Sequence, residues 1–180
     1  ILSNYRYCQN TDIVKIQILN NSISILDIEQ RMEAWHQLEI AIATDFDRVV
    51  LALSNIIVNQ ELGDFMHCEA GQQLIGIMYS SESQEMTFNR NRWFDLPWAT
   101  RDQIKFNCLE ALAMSYNGTS WAALCVTRVA CMELPAGNWP ELLDLLGAQI
   151  TDTTTPQSLK DNYLLVIEKM CEFTVRIHFL

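Results

Sequence analysis

The sequence predicts an all-α chain, an α-α superhelix of antiparallel helix pairs, and three observations carry that expectation. Apolar residues recur at the three- and four-residue spacing of helix faces, and no alternation long enough for a sheet interrupts them. Short corners holding Pro, Gly, Asn and Thr cut the stripes into helix-length pieces. The starts of alternate helices, near Asp45, Ser83, Thr119 and Pro156, recur at roughly 38 residues, the signature of stacked repeats. In such an array each pair is stabilised by stacking on its neighbours rather than by one central core.

Taken in order, residues 1–12 are polar and irregular, with Tyr5, Arg6 and Tyr7 their only bulky group, and read as a loose extension. Ile13, Ile16 and Leu19 suggest a short helix. The β-branched runs IVKIQIL and SISIL suit strands equally by local propensity, and the helical character of all that follows decides between them. Asp27 caps a helix to about Ala43, with Ile28, Met32, Trp35, Leu38, Glu39 and Ile42 spaced along it. Thr44 or Asp45 opens the next, with Phe46, Val49, Val50, Leu53, Ile56 and Ile57 inward, and Asn59-Gln60 ends it. Phe65, Cys68, Gln72, Ile75 and Met78 or Tyr79 lie along the following helix, where the small Ala70 and Gly71 permit close approach.

Ser80 to Gln84 reads as a polar loop. Met86, Phe88, Trp93 and Phe94 mark a helix stopped near Leu96-Pro97, because the residue before a proline is pushed out of the helical region. Thr100 caps another, which carries Ile104, Cys108, Leu109 and Leu112, with Asp102 and Gln103 in its first turn. After Asn117-Gly118, Thr119 opens a helical hairpin. Leu124, Cys125, Val129 and Met132 form its first face, widened by Val126 and Ala130. Leu134-Pro135-Ala136-Gly137 makes its corner, and Asn138 caps the second helix with Pro140 and Glu141 in the first turn. Leu142, Leu143, Leu145, Leu146 and Ile150 form the second face. Both stripes are too wide to bury on each other alone, so the hairpin needs neighbours on both sides. Pro156 follows a Thr-rich turn, and Leu159, Tyr163, Val166, Ile167 and Met170 form the last helix.

Composition narrows the function. At 180 residues, 49% of them hydrophobic, the chain has enough apolar side chains for a real core. A net charge of -10 argues against general nucleic-acid binding, which needs a basic face, and fits a basic protein partner. No apolar run reaches membrane-spanning length, and the first residues lack a secretory pattern. The absence of an initial Met points to a missing or processed start. Cys8, Cys68, Cys108, Cys125, Cys131 and Cys171 are scattered without paired spacing, so they read as buried free thiols in a reducing compartment rather than as zinc ligands. Two glycosylation sequons, Asn20-Asn21-Ser22 and Asn117-Gly118-Thr119, then carry no meaning beyond polar helix ends.

No active site is expected, and no cofactor. His36, His67 and His178 stand in no metal or triad spacing. His67 and Cys68 are adjacent in a helix and so point about 100° apart. Glu29, Glu33, Asp45 and Asp47 read as a solvated face. There is no phosphate-binding loop, dinucleotide fingerprint or metalloprotease motif. Trp35, Trp93 and Trp121 sit in or beside apolar stripes as core anchors, and Trp98 and Trp139 stand at corners.

The hairpin carries a specific likeness. Cys125-Val126, Val129-Ala130-Cys131, Glu133-Leu134-Pro135 and Asn138-Trp139-Pro140-Glu141-Leu142-Leu143 resemble the fourth HEAT repeat of the importin beta (karyopherin beta) family. Asp27, Ala34, Leu38-Glu39, Leu53-Ser54, Asn59, Ala70-Gly71, Gln73, Arg92-Trp93, Arg101, Leu159-Lys160, Ile167 and Cys171 extend it from about Lys15 to Phe173. The resemblance implies a HEAT/armadillo-type solenoid over 13–173, in repeats of about 13–43, 45–79, 83–114, 119–151 and a partial 156–173. That corresponds to the family's N-terminal repeats one to about four and a half.

It also implies a nuclear transport receptor of cytoplasm and nucleus, including the nuclear pore, whose early repeats bind the GTPase Ran in its GTP form through inner, second helices. Here those helices would be about 27–43, 61–79 and 100–114. Their polar residues Glu29, Glu33, Gln37, Glu69, Gln73 and Lys105 are the expected contacts. Nucleoporins and cargo adaptors belong to later repeats in the family, so they would require a longer chain. Two departures favour an alternative, a truncated HEAT scaffold or decoy without Ran binding or transport. Ile75-Gly76 replaces the family's Lys-Asn pair, and Gly76 weakens its helix by about 1 kcal/mol relative to Ala. The apolar tail 174–180 leaves the family pattern and predicts an exposed end prone to self-association.

Overall fold

The computed structural model describes residues 28–80, 82–114 and 120–178, with the side chains of those residues apart from 28–31, 34, 35, 83, 120 and 174–178. The expected extension 1–12, the short helix from Ile13 and the Asn117–Thr119 corner lie outside these residues. Among the described residues the chain is helical without strands. Its helices are α1 (Ile28–Thr44), α2 (Phe46–Ile56), α3 (Asp64–Met78), α4 (Ser83–Asp95), α5 (Trp98–Met114), α6 (Ser120–Glu133), α7 (Leu142–Thr151) and α8 (Gln157–His178). A one-turn 3-10 helix, Leu134–Ala136, follows α6.

The helices form three packed hairpins, α2 with α3, α5 with α6 and α7 with α8. Hairpins stack into rows: α3, α6 and α8 lie side by side in one, and α2 packs on α5 in the other. This differs from the expected pairing of 83–95 with 98–114. Only Leu96 and Pro97 separate α4 from α5, and α5 packs on α2 and α6 instead, leaving α4 against α3 outside the rows. Even so, Phe46, Ser83, Ser120 and Gln157 open helices roughly 37 residues apart.

The core runs continuously through the stack, from Leu38 through Leu53, Leu74, Ile104, Leu112, Val126 and Leu146 to Val166. Most of the expected α2 and α6 stripes is buried, Val49, Val50, Leu53 and Ile56 on α2 with Ile57 just beyond it, and Cys125, Val126, Val129, Ala130 and Met132 on α6, whereas Phe46 and Leu124, expected inward, are half-buried. Other faces are corrected. On α3 the buried stripe is Met66, Ala70, Leu74 and Met78, whereas Phe65 is 54% exposed, because the helix docks through its small residues. On α7 only Leu142 and Leu146 are fully buried, while Leu143 and Leu145 face outward. On α1 Leu38 is buried and Met32 is exposed.

Boundaries shift for identifiable reasons. Helix α5 starts at Trp98, two residues before Thr100, because the Pro97 carbonyl already accepts the N–H groups of Thr100 and Arg101 at 2.9 and 3.1 Å. Asn138 does not cap α7. Trp139 must first drop into the core, and α7 begins only after Glu141. The corner itself is built as expected: Gly137 adopts φ 72, the left-handed conformation that suits glycine, and its N–H bonds back to the Leu134 carbonyl at 2.9 Å. Helix α8 continues as helical backbone to His178, into the tail expected to diverge.

Candidate interaction surface

The functional surface of a solenoid is set by what holds its helices in register. The deepest such tie is polar. Glu133, fully buried at the end of α6, receives Trp93 Nε1–H from α4 at 2.7 Å and Arg101 Nη1–H from α5 at 3.0 Å. Arg101 is itself buried and lies over the rings of Phe94 and Trp98, with its Cζ 5.3 and 5.0 Å from their centroids. The carboxylate therefore joins three helices. A second polar tie joins the α2–α5 row: the Asn107 amide on α5 donates to Ser54 Oγ and Asn55 Oδ1 on α2, each at 3.0 Å.

The α3–α6–α8 row is held by close packing and an aromatic clamp. At the α3–α6 crossing the thiol of Cys125 reaches the Gly71 carbonyl at 3.5 Å. Further along the row the Arg128 guanidinium lies between two rings, 3.6 Å from the centroid of Tyr79 and 3.7 Å from that of Phe173. Those rings also meet each other edge-on at 5.4 Å. Such contacts are worth about 0.5–2 kcal/mol each, more when desolvated. Outside this clamp each helix of the row shows residues to solvent: exposed Gln72 and half-buried Ile75 on α3, half-buried Leu124 and Cys131 on α6, and exposed Leu164 and Glu168 on α8.

The residues expected to contact a partner do not form one surface. Glu29 lies on α1, with its side chain outside those described. Glu33 and Gln37 are exposed on the same helix and bonded to each other, the amide donating at 2.7 Å. Glu69 and Gln73 lie half-buried, four residues apart on α3 and hence on one face. Lys105 is corrected on two counts. It lies on α5, in the row opposite α3, and its side chain is 6% exposed. Its ammonium is held by Asp102 Oδ1 at 2.6 Å and donates to the Asn138 carbonyl at 3.3 Å, beneath the rings of Trp98 and Trp139. The second helix that shares a row with α3 is α6. Arg128 on that helix is the residue that sequence reasoning missed, since nothing local marks it as the centre of a clamp.

Beside Lys105 an open groove of about 450 Å³ separates α5 from the corner before α7, lined among others by Trp98, Asp102, Phe106, Leu109, Asn138 and Glu141. His67 Nε2–H donates to the Asn59 carbonyl, 2.9 Å away. Burial pushes the Cys131 thiol up to about 11, and a hydrogen bond with Cys108 together with burial pushes Cys125 well up, so neither is an activated nucleophile. Among the described residues no His, Cys, Asp and Glu groups gather to hold a metal, and no helix is long and apolar enough to cross a membrane.

No family model matches the chain. Importin subunit beta-1 of Schizosaccharomyces pombe is 29% identical to it over 147 residues, 81% of this chain and 17% of that protein. The solved structure of Kap95p whose binding induces the switch loops of RanGDP to adopt the GTP-bound conformation is similar with a TM-score of 0.84 at 25% identity, covering 90% of this chain and 19% of Kap95p. The Kap95:Nup1 complex is similar with a TM-score of 0.83, at the same identity and coverage. The chain thus spans less than a fifth of the length of the relatives it matches.

Proposed function

We propose, from the premise that this chain is homologous to importin subunit beta-1 along most of its length and shares its HEAT-type solenoid, that it acts in nuclear transport by binding Ran in its GTP form. The observation that carries the reading is the likeness to Kap95p, a protein whose binding drives the switch loops of RanGDP into their GTP-bound conformation, over 90% of this chain. We assign the contact to the row α3, α6 and α8, where Glu69 and Gln73 present paired polar groups on α3, while Glu33 and Gln37 form a separate pair on α1, which packs on α2. The chain works by binding rather than catalysis, between cytoplasm and nucleus. Its segment corresponds to the first four or so repeats, and docking of nucleoporins, supported by the likeness to the Kap95:Nup1 complex, or of a cargo adaptor, belongs to a longer chain.

The test is retention of purified Ran, loaded with GTP or with GDP, on the immobilised chain at two salt concentrations. GTP-selective retention that falls when Glu69→Ala and Gln73→Ala are combined supports the reading. Retention of neither form by a chain shown helical by circular dichroism overturns it. One observation favours the second reading, a HEAT scaffold without Ran binding. Helix α3 carries no Lys or Arg anywhere along its length, and Gly76 stands exposed with open space around it.

A further inference from the structure

The row assigned to the partner is three helices wide, and its outer members, α3 and α8, each pack on α6. A partner that touches Glu69 and Gln73 on α3 and the exposed Glu168 on α8 must span α6. It meets both sides only if the outer helices stand at the right separation. Those helices reach each other where the ring of Tyr79, just past the end of α3, meets that of Phe173 on α8 at 5.4 Å and 84°. The Arg128 guanidinium of α6 fills the corner between the two rings, its Cζ 3.6 Å from one centroid and 3.7 Å from the other. Neither Tyr79 nor Arg128 is among the residues that carry the likeness to importin beta, so the likeness gives the cluster no role of its own.

We propose, on the assignment of the partner to this row, that Arg128 is a positioning residue for binding: it sets the separation of α3 and α8, so that polar groups on both meet one partner together. The shape of the guanidinium is the physical reason. A planar cation in a right-angled corner lies flat on one ring and directs its N–H edge at the other, and it is weakly hydrated enough to stay there. A lysine ammonium carries the same charge but is compact and strongly hydrated, with no plane to fill the corner. Groups that recognise a partner have to be held to within about 0.5 Å by the packing behind them. One side chain at this joint is therefore enough to separate the α3 contact from the α8 contact.

The test is the affinity of the chain for Ran loaded with GTP. It is measured for Glu69→Ala combined with Gln73→Ala, for Glu168→Ala, and for all three together, each with Arg128 intact and in Arg128→Lys. With Arg128 intact, the α3 pair and Glu168 should each weaken binding by about fivefold or more when removed. Arg128→Lys should itself cost about as much, and in that background one of the two sets should cost less than about twofold, because the partner no longer reaches both. Tyr79→Phe keeps the ring and should bind like the unaltered chain. Helicity and melting midpoint by circular dichroism accompany every variant, and if Arg128→Lys is not helical, Phe173→Leu opens the same corner from the other side. A merely structural role would lower the midpoint and leave the two sets independent, which overturns the proposal. So does unchanged binding in Arg128→Lys, or no effect of Glu168→Ala with Arg128 intact. Where the unaltered chain retains no Ran, the assignment of the row fails and takes the proposal with it; where it binds and Arg128→Lys binds alike, the proposal alone fails.

Discussion

Gly71 of α3 and Trp121 of α6 meet so closely that a β-carbon on residue 71 would stand 2.3 Å from Cε3 of the indole. The obstacle is a flat ring wedged between two helices, not the mobile end of a long side chain, so it cannot step aside without opening the crossing. Gly71→Ala should therefore destabilise the chain by about 1–3 kcal/mol, the usual cost of overpacking, even though alanine is the better helix former. Gly76 on the same helix has nothing within 4 Å, and Gly76→Ala should stabilise by up to about 1 kcal/mol. Urea unfolding of the two variants side by side checks both signs.

Glu133→Ala should be among the most damaging single changes, at about 3–5 kcal/mol, because it strands the buried Arg101 guanidinium without its partner. Trp93→Phe keeps most of the ring volume and removes one donor to that carboxylate, for a smaller loss of about 1–3 kcal/mol. Thermal denaturation that ranks the two in this order checks the assignment.

Stability should fall as pH rises from about 9 towards 11. Burial raises Cys131 from 9.0 to about 11, burial also raises Tyr163, and the contact with Cys108 together with burial raises Cys125. All three are neutral when protonated, so above pH 9 the unfolded chain loses its thiol protons before the folded chain does. The contribution is complete below the unfolded value near 9 and is lost progressively towards the folded values. Denaturation midpoints measured across that range should decline, and less steeply in Cys131→Ala.

Thiol reactivity should separate by position. Cys171, exposed on α8, should be alkylated by iodoacetamide in the folded chain, while Cys108 and Cys125 react only on unfolding. Site-resolved mass spectrometry at neutral pH reads the order.

Much of this was legible in the sequence, and the residues show why. Leu96-Pro97 and Gly137 mark corners through backbone sterics alone, so the stops near them came out within a residue or two. The α6 stripe was legible because apolar residues dominate the helix, although Thr127 and Glu133 are buried along with them. Helix α3 mixes polar and apolar residues around its circumference, so periodicity could not choose between the face of Phe65, Cys68 and Ile75 and that of Met66, Ala70 and Leu74. The choice is made by Trp121, fifty residues on, seated against Gly71. Lys105 misled for a related reason: a charged side chain suggests solvent, and only the fold brings Trp98, Trp139 and the Asn138 carbonyl around it. The phase of the helix pairing was hidden too, since α4 has the length and spacing of a repeat member and only its packing sets it apart.

The clamp of Tyr79, Arg128 and Phe173 has a mechanical meaning. Each of its residues comes from a different hairpin, so the outer two rings are bridged across the middle one in an architecture where units otherwise touch only the next in line. A bridge of that kind works as a brace on one edge of a bending beam. It fixes the local curvature of the superhelix, and it makes three units flex together instead of hinging independently at each joint.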